Sequence, residues 1–180
     1  MNWKKLSTQY ISNHIYFTAR QDRCEMPNGR IVDPYFVVEL PTSVCAVAIT
    51  ENNEVILVEQ YRHPIEETIL ELPGGFVDEV EEPATAIARE LLEETGYSFS
   101  SITPLGKIAA NPGVLNNYTY LFLAEGGKLT TTQELDSNEQ IDLKLISIED
   151  LRKMLTENRI TQALHTSCLF YAFAALDSRK

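Results

Sequence analysis

Three glutamates crowd the end of one short stretch, RELLEETGY at residues 89–97. The pattern around them predicts a helix from about Pro83 to Thr95, ended by Gly96, which takes a left-handed conformation readily. At about 100° per residue, Ala84, Ile87, Ala88, Leu91 and Leu92 share one side, and Glu90, Glu93 and Glu94 gather roughly opposite. Glu93 and Glu94 then fall in the last turn. The backbone dipole leaves partial negative charge there, which costs about 0.3–1 kcal/mol per carboxylate. Glu90 and Glu94, at i and i+4, repel by a further ~0.2–0.5 kcal/mol. Arg89 stands at i and i+4 to Glu93 and relieves one carboxylate, not three. Two readings stand: a solvated acidic face, or a site for hard divalent cations. Such cations take oxygen ligands and reverse the sign of each penalty.

The rest of the chain limits what this helix serves. Its 180 residues fit one compact domain, or a domain with a small extension. Hydrophobic residues are 44 % and charged residues 23 %, an ordinary globular composition. The formal charge is −11 and the pI about 4.7, so nucleic acid and anionic lipid are repelled on average. Cys24, Cys45 and Cys168 are odd in number and widely spaced, with no zinc pattern, and read as small buried fillers. The opening MNWKKLSTQY lacks the apolar run of a signal peptide, and no run approaches the ~18 residues of a membrane span. A soluble cytoplasmic protein is expected, with neither nucleic acid nor membrane as partner.

The elements that position the helix follow from periodicity. The first forty residues or so read as strands. IYFTARQDRC and IVDPYFVVEL flank Asn28-Gly29, a pair suited to a tight hairpin turn. VCAVAIT and EVILVEQYR are continuous apolar runs, as expected of strands buried on both faces. TILEL, ITPLGKIAA, NYTYLFLAE and IDLKLI read as further strands. Helices are expected over Ser147–Asn158, where Ser147 and Asp150 resemble a capping box, and over Arg159–Leu176, apolar enough to be well buried. Strands followed by strands mixed with three helices imply an α/β core with an N-terminal β extension. The expected division is a β segment over 1–43 and a main domain over 44–180.

Gly75, five residues, Glu81, seven residues and then Arg89-Glu90-Leu91-Leu92-Glu93-Glu94-Thr95-Gly96-Tyr97 resemble the signature of the Nudix hydrolases. All seven fixed positions match, which at about 7 % usage per residue type has a chance of order 10⁻⁸ per start position. Tyr97 stands where the signature has an aliphatic residue, a change in packing only. The resemblance implies an α/β/α sandwich with a mixed sheet that binds Mg²⁺ or Mn²⁺, two or more ions per site. Such an enzyme cleaves a diphosphate joined to another moiety. EQYRHP, ELPGGFVDEVEEPATAIARELLEETGY and the N-terminal β segment look like the branch that hydrolyses ADP-ribose and nucleoside diphosphate sugars. Pro112, about fifteen residues beyond the box, fits that branch. Its members are usually homodimers joined through their N-terminal strands, so a homodimer is implied here.

Carried over residue by residue, Glu90 and Glu94 are the main metal carboxylates, and the Gly74 carbonyl is a further ligand. Glu93 is either another ligand or the partner of Arg89 that fixes the helix, and Glu93 and Arg89 join the catalytic set. Glu81 braces the loop. The catalytic base of this branch lies on a loop before the strand that here reads IDLKLI. Glu139 aligns best with it, and Glu134 and Asp136 are the alternatives; Ser137 stands where some relatives carry Glu. Gly75 suits a close approach of backbone to phosphate. Arg62 either grips a substrate phosphate or makes a surface ion pair. Asn116 and Asn117 either hydrogen-bond a sugar or phosphate or make a turn. The acidic residue that ADP-ribose enzymes often carry after the proline is missing. Trp3, Tyr10, Tyr16, Tyr118 and Tyr120 are stacking candidates for a base, with strand packing as the alternative. The favoured substrate is a small nucleoside diphosphate sugar, ADP-ribose among them. The alternatives are dinucleoside polyphosphates, dinucleotide cofactors, or a sensor that binds a nucleotide sugar without turnover.

Overall fold

The computed structural model of the chain describes residues 1–14, 17–137 and 139–179. They form two compact units: Met1–Pro41 with Ala109–Tyr118, and Thr42–Ile108 with Thr119–Lys180.

The first unit is a three-stranded antiparallel sheet in the order β1 (Lys4–His14), β2 (Phe17–Glu25), β3 (Ile31–Glu39). The turn at Asn28-Gly29 is closed by Met26 and Arg30: the Met26 N–H donates to Arg30 O at 2.8 Å, and Asn28 Oδ1 accepts from the Arg30 N–H at 3.1 Å. The 109–118 segment docks on β3 through the Val38 N–H to Val114 O, 2.8 Å.

The second unit carries a mixed sheet. Its strands are β4 (Ser43–Thr50), β5 (Glu54–Arg62), β6 (Glu67–Glu71), β7 (Tyr97–Ser98), β8 (Ser101–Ile108), β9 (Thr119–Leu129) and β10 (Ile141–Ser147). The central order is β10-β5-β4-β9-β7, with β6 beside β5 and β8 beside β9. β4 and β9 run parallel, and the other pairs are antiparallel.

Alternation along the strands builds two cores. Val44, Ala46 and Ala48 of β4, Ile56 of β5, and Phe122 and Ala124 of β9 face helix α1 (Pro83–Thr95), packing on Ala86, Ile87 and Leu91. Cys45, Val47, Ile49, Val55, Leu57, Leu121 and Leu123 face the other way, against α2 (Ile148–Thr156) and α3 (Ala163–Asp177). A strand covered on both faces needs no polar alternation, which is why β4 and β5 read as unbroken apolar runs. The result is the expected α/β/α layering with a mixed sheet.

Two expectations about helix faces need correction. The buried side of α1 is Ala86, Ile87, Leu91, Glu94 and Thr95, whereas Ala84, Ala88 and Leu92 are exposed. The neighbour, not hydrophobicity alone, chose the face, and it took a carboxylate inward. α3 starts at Ala163, later than expected, because the Gln162 side chain caps it by accepting from the Leu164 and His165 N–H groups. Phe170 and Tyr171 on this helix are exposed, so its apolar surface is not wholly covered. The Ser147 cap holds: its Oγ accepts from the Asp150 N–H at 3.0 Å. Among the described residues, no helix is long and apolar enough to cross a membrane.

Candidate active site

α1 begins with Pro83 at its first turn and ends at Gly96, whose φ of 75° is left-handed and whose N–H reaches Leu92 O at 2.8 Å. The carbonyls freed at this end find donors on the chain that follows β9. Thr130 N–H reaches Gly96 O at 2.9 Å, Glu134 N–H reaches Glu93 O at 2.9 Å, and Gln133 Nε2 reaches Glu94 O at 2.7 Å. These donors neutralise part of the dipole charge that sets the three glutamates at a disadvantage.

The loop before α1 lies along β4. The Val44 N–H donates to Gly75 O at 2.9 Å, and the Ala46 N–H to Pro73 O at 3.1 Å. No side chain fits at Gly74, and one at Gly75 would have to displace the Glu90 carboxyl. A Cβ on Gly74 would stand 2.2 Å from Val44 O, and one on Gly75 would stand 2.4 Å from the Glu90 carboxyl. The Gly74 N–H donates to Glu94 Oε2 at 2.8 Å. Glycine therefore lets the backbone press directly against both carboxylates.

Arg89 is the hub on the other side. Its Nε and Nη2 reach the two oxygens of Glu81 at 3.2 and 3.0 Å. Nη1 reaches Glu90 Oε1 at 2.9 Å and Glu93 Oε2 at 3.0 Å, and Nη2 also reaches Phe76 O at 3.1 Å. A guanidinium has five N–H donors, and these five contacts match that number. One arginine thus engages three carboxylates: two of the helix glutamates, Glu90 and Glu93, where one was expected, and Glu81 from the loop. Grouped with the catalytic residues by resemblance, Arg89 has the geometry of a brace. Its hydrogen bonds to Glu81 hold it protonated and draw Glu81 below the ordinary carboxylate range.

Glu94 is treated differently. It is 7 % exposed, and among the described residues no cation lies within ion-pair distance of it. Burial pushes its carboxyl up to about 8, against the pull of the Gly74 N–H; the charges of Glu90 and Glu139 add to the rise and that of Arg62 opposes it. Burial also raises Glu90, opposed by Arg89, with Glu93 and Glu139 adding to the rise. Among the described residues, no three His, Cys, Asp or Glu side chains already converge on one point as a metal cage. Glu90 and Glu93 are turned toward Arg89 instead. The donor set still suits a hard cation: it is all oxygen, and burial holds on its most buried member, Glu94, a proton that a cation would replace.

Of the three base candidates, Glu139 is half-buried and its charge reaches both Glu90 and Glu94; Glu134 and Asp136 are exposed. Its own loop holds it, with the Glu139 N–H on Asp136 O at 2.9 Å and its Oε2 accepting from the Asp136 N–H at 3.1 Å. Arg62 is held by Glu71, with Nε at 2.8 Å and Nη2 at 2.7 Å from the same oxygen.

Asn116 and Asn117 lie in the first unit. Asn116 Oδ1 accepts from the Leu40 N–H at 3.0 Å, and Asn117 Nδ2 donates to Pro41 O at 2.9 Å, so both amides brace backbone. Trp3 packs edge-on against Tyr35, and Lys107 lies over Tyr120. Tyr10 and Tyr118 are exposed, and Tyr16 lies outside the described residues. Sequence reading gave no role to Glu71 or Gln133. The one sign of Glu71 was an acidic residue inside an apolar strand run.

The comparisons agree with this geometry. Residues 39–164 match the NUDIX domain, and residues 3–38 match the nucleoside diphosphate sugar hydrolase N-terminal domain. A Bacillus subtilis (strain 168) protein named ADP-ribose pyrophosphatase is 34 % identical over 140 residues, 77 % of this chain and 75 % of that one. A Bacillus methanolicus protein named methanol dehydrogenase activator is 33 % identical over 158 residues, 87 % of this chain and 85 % of that one. A crystal structure of an ADP compounds hydrolase shares the fold, with a TM-score of 0.87 at 21 % identity over 99 % of this chain and 96 % of that one. The chain belongs to the Nudix family, in the branch that carries the nucleoside diphosphate sugar hydrolase N-terminal domain, and it is an enzyme, a Nudix hydrolase. Enzymes of this family generally use divalent metal ions.

Proposed function

We propose that this enzyme hydrolyses the diphosphate linkage of ADP-ribose or a related nucleoside diphosphate sugar, releasing a nucleoside monophosphate and a sugar phosphate. The observation that carries the reading is the buried Glu94, tied to the Gly74 N–H at 2.8 Å beside Glu90 and, among the described residues, without a cation of its own. The relatives named for ADP-ribose hydrolysis support the substrate class.

Glu90 and Glu94, with Glu93 and the Gly74 carbonyl, hold Mg²⁺ or Mn²⁺, two or more ions per site. Bound ions supply charge neutralisation for the diphosphate oxygens and a water of lowered pKa. Arg89 holds Glu81, Glu90 and Glu93 in register through its five contacts, so the carboxylates keep one arrangement before substrate arrives. Gly75 leaves room for the Glu90 carboxyl against the loop. Glu139 removes the proton of the attacking water, a role its half-buried position near both metal carboxylates supports. Arg62 binds one phosphate of the substrate. Asn116 and Asn117 act by shaping the first unit, which joins two copies into a homodimer. Three free cysteines fit a cytoplasmic setting.

The test is product analysis with Mg²⁺ across ADP-ribose, ADP-glucose, UDP-glucose, GDP-mannose, diadenosine polyphosphates and NADH. AMP from ADP-ribose in the wild type, and none from Glu94→Gln, supports the reading. Turnover confined to dinucleotides, or binding of nucleotide sugars without turnover, overturns it.

A further inference from the structure

Glu71 ends β6 with 2 % of its surface exposed, although its side chain is a carboxyl. Its Oε2 accepts the Arg62 Nε–H at 2.8 Å and lies 2.7 Å from Nη2 in an ion pair, Arg62 standing at the end of the neighbouring strand β5. Its other oxygen, Oε1, lies 4.0 Å from Nδ1 of the buried His165. That nitrogen accepts the Leu72 N–H at 3.2 Å, so it carries no proton and offers Glu71 nothing. Burial keeps this imidazole neutral, pushing it down to about 3, and the Arg62 charge adds to the effect. Among the described residues, Arg62 is therefore the one cation paired with Glu71. An unpaired carboxylate this deep would be strongly destabilising.

The guanidinium is only partly enclosed. Its side chain is 45 % exposed, and with the Nε–Nη2 edge on Glu71 the N–H groups on the Nη1 side meet no acceptor among the described residues and are left for another. Position gives that acceptor a place. Glu71 and Gly74 are three residues apart, at most about 11 Å of chain. One short segment thus holds Arg62 at one end and Glu94 at the other. The Arg62 charge is felt at Glu94.

We infer that Glu71 is a positioning residue: it locks the Arg62 fork in one orientation beside Glu94, with its free edge turned to the phosphate of the substrate that the metal carboxylates do not hold. The inference rests on the proposed reading of the site as a diphosphate hydrolase. A guanidinium fixed by a buried carboxylate loses no rotamer freedom when substrate arrives, and that loss avoided appears as tighter binding. Arg62 touches substrate, and Glu71 acts through it.

Steady-state kinetics on ADP-ribose at saturating Mg²⁺, for Glu71→Gln, Arg62→Ala and the double variant, tests this. The expected result is a KM raised about tenfold or more by each single change, a kcat within about threefold of wild type, and a double variant no worse than Arg62→Ala. A KM that falls in Glu71→Gln, because the carboxylate merely competes with phosphate for the guanidinium, overturns the inference. So does a loss confined to kcat, or a loss that adds to that of Arg62→Ala. Should Glu71→Gln not fold, Arg62→Lys replaces it. Lysine keeps the charge but not the two-pronged contact, so the same rise in KM is expected and an unchanged KM refutes the lock. Calorimetric binding of inorganic pyrophosphate in Mg²⁺ separates the two failures. If the wild type cleaves no nucleotide sugar, the proposed function falls, while equal weakening of pyrophosphate by both single variants, and no further weakening by the double, still upholds the Glu71–Arg62 lock. Unchanged pyrophosphate affinity in Glu71→Gln sinks the lock alone.

Discussion

The Gly74 N–H and Glu94 Oε2 meet at 2.8 Å, joining the loop that precedes α1 to the last turn of the same helix. This contact satisfies one oxygen of a buried carboxylate but leaves its charge unmatched, and the behaviour of the metal-free protein follows from that.

Glu94 titrates near 8 in the folded chain and near its ordinary 4.5 when unfolded. The folded state therefore binds the extra proton between those values. Its contribution to stability is present below about pH 4.5 and is lost as pH rises through 8. A divalent cation competes with that proton, so Mg²⁺ should raise the melting temperature more at pH 8.5 than at pH 6. At a hundredfold excess over Kd the full effect is about 2.7 kcal/mol, or roughly 5–10 °C for a domain of this size. Scans with EDTA and with Mg²⁺ at the two pH values check it. Glu94→Gln should abolish the Mg²⁺ dependence and lose no stability in EDTA at pH 8.5.

Gly74 and Gly75 should respond differently to alanine. At Gly74 the added Cβ meets the Val44 and Cys45 backbone at 2.2 and 2.7 Å, with φ at 152°, so Gly74→Ala should lower the melting temperature sharply or prevent folding. At Gly75 the Cβ meets only the Glu90 carboxyl, the movable end of a side chain. Gly75→Ala should keep its circular dichroism spectrum and melt within a few degrees of wild type, yet lose at least about tenfold in activity as Glu90 is displaced.

Arg89→Lys keeps the positive charge and loses the five-point geometry. A loss of about 1–3 kcal/mol is expected, the range for buried polar partners left unsatisfied. Thermal denaturation measures it. A melting temperature equal to that of wild type would mean that the contacts to Glu81, Glu90, Glu93 and Phe76 O contribute nothing net.

Among the loop carboxylates, Glu139→Gln should lower kcat by about 10²–10⁴ with little change in KM, the range for loss of a general base. Glu134→Gln and Asp136→Asn should stay within a few-fold of wild type. A larger loss at either neighbour would move the base.

His165 lies near 3 when folded and near 6.5 when unfolded, because burial disfavours the imidazolium and the Arg62 charge adds to this. Between those values the unfolded chain binds the extra proton. The contribution is fully present above about pH 6.5 and falls away as pH drops toward 3, a loss of order a few kcal/mol. His165→Asn retains an acceptor for the Leu72 N–H without titrating, so its stability should fall less steeply with acid. Urea midpoints from pH 7 to pH 4 compare the two slopes.

What the sequence determined by itself is local. β5, the Asn28-Gly29 turn, the span of α1 and its Gly96 stop are set by short-range periodicity and backbone preference, and the spacing of Gly75, Glu81, Arg89, Glu90, Glu93 and Glu94 carries the family signature. What only the tertiary structure decided depends on neighbours distant in sequence. Helical periodicity places Leu92 on the core side, and it is exposed; it places Glu94 roughly opposite, and Glu94 is buried, because the sheet chose which side of α1 to cover. Glu71, an acidic residue in an apolar strand, gained its partner Arg62 through the β5–β6 register, and the docking of α3 brought His165 to the Leu72 N–H from 93 residues away. Burial and electrostatic pairing are sums over three-dimensional neighbours, and no window along the chain contains them.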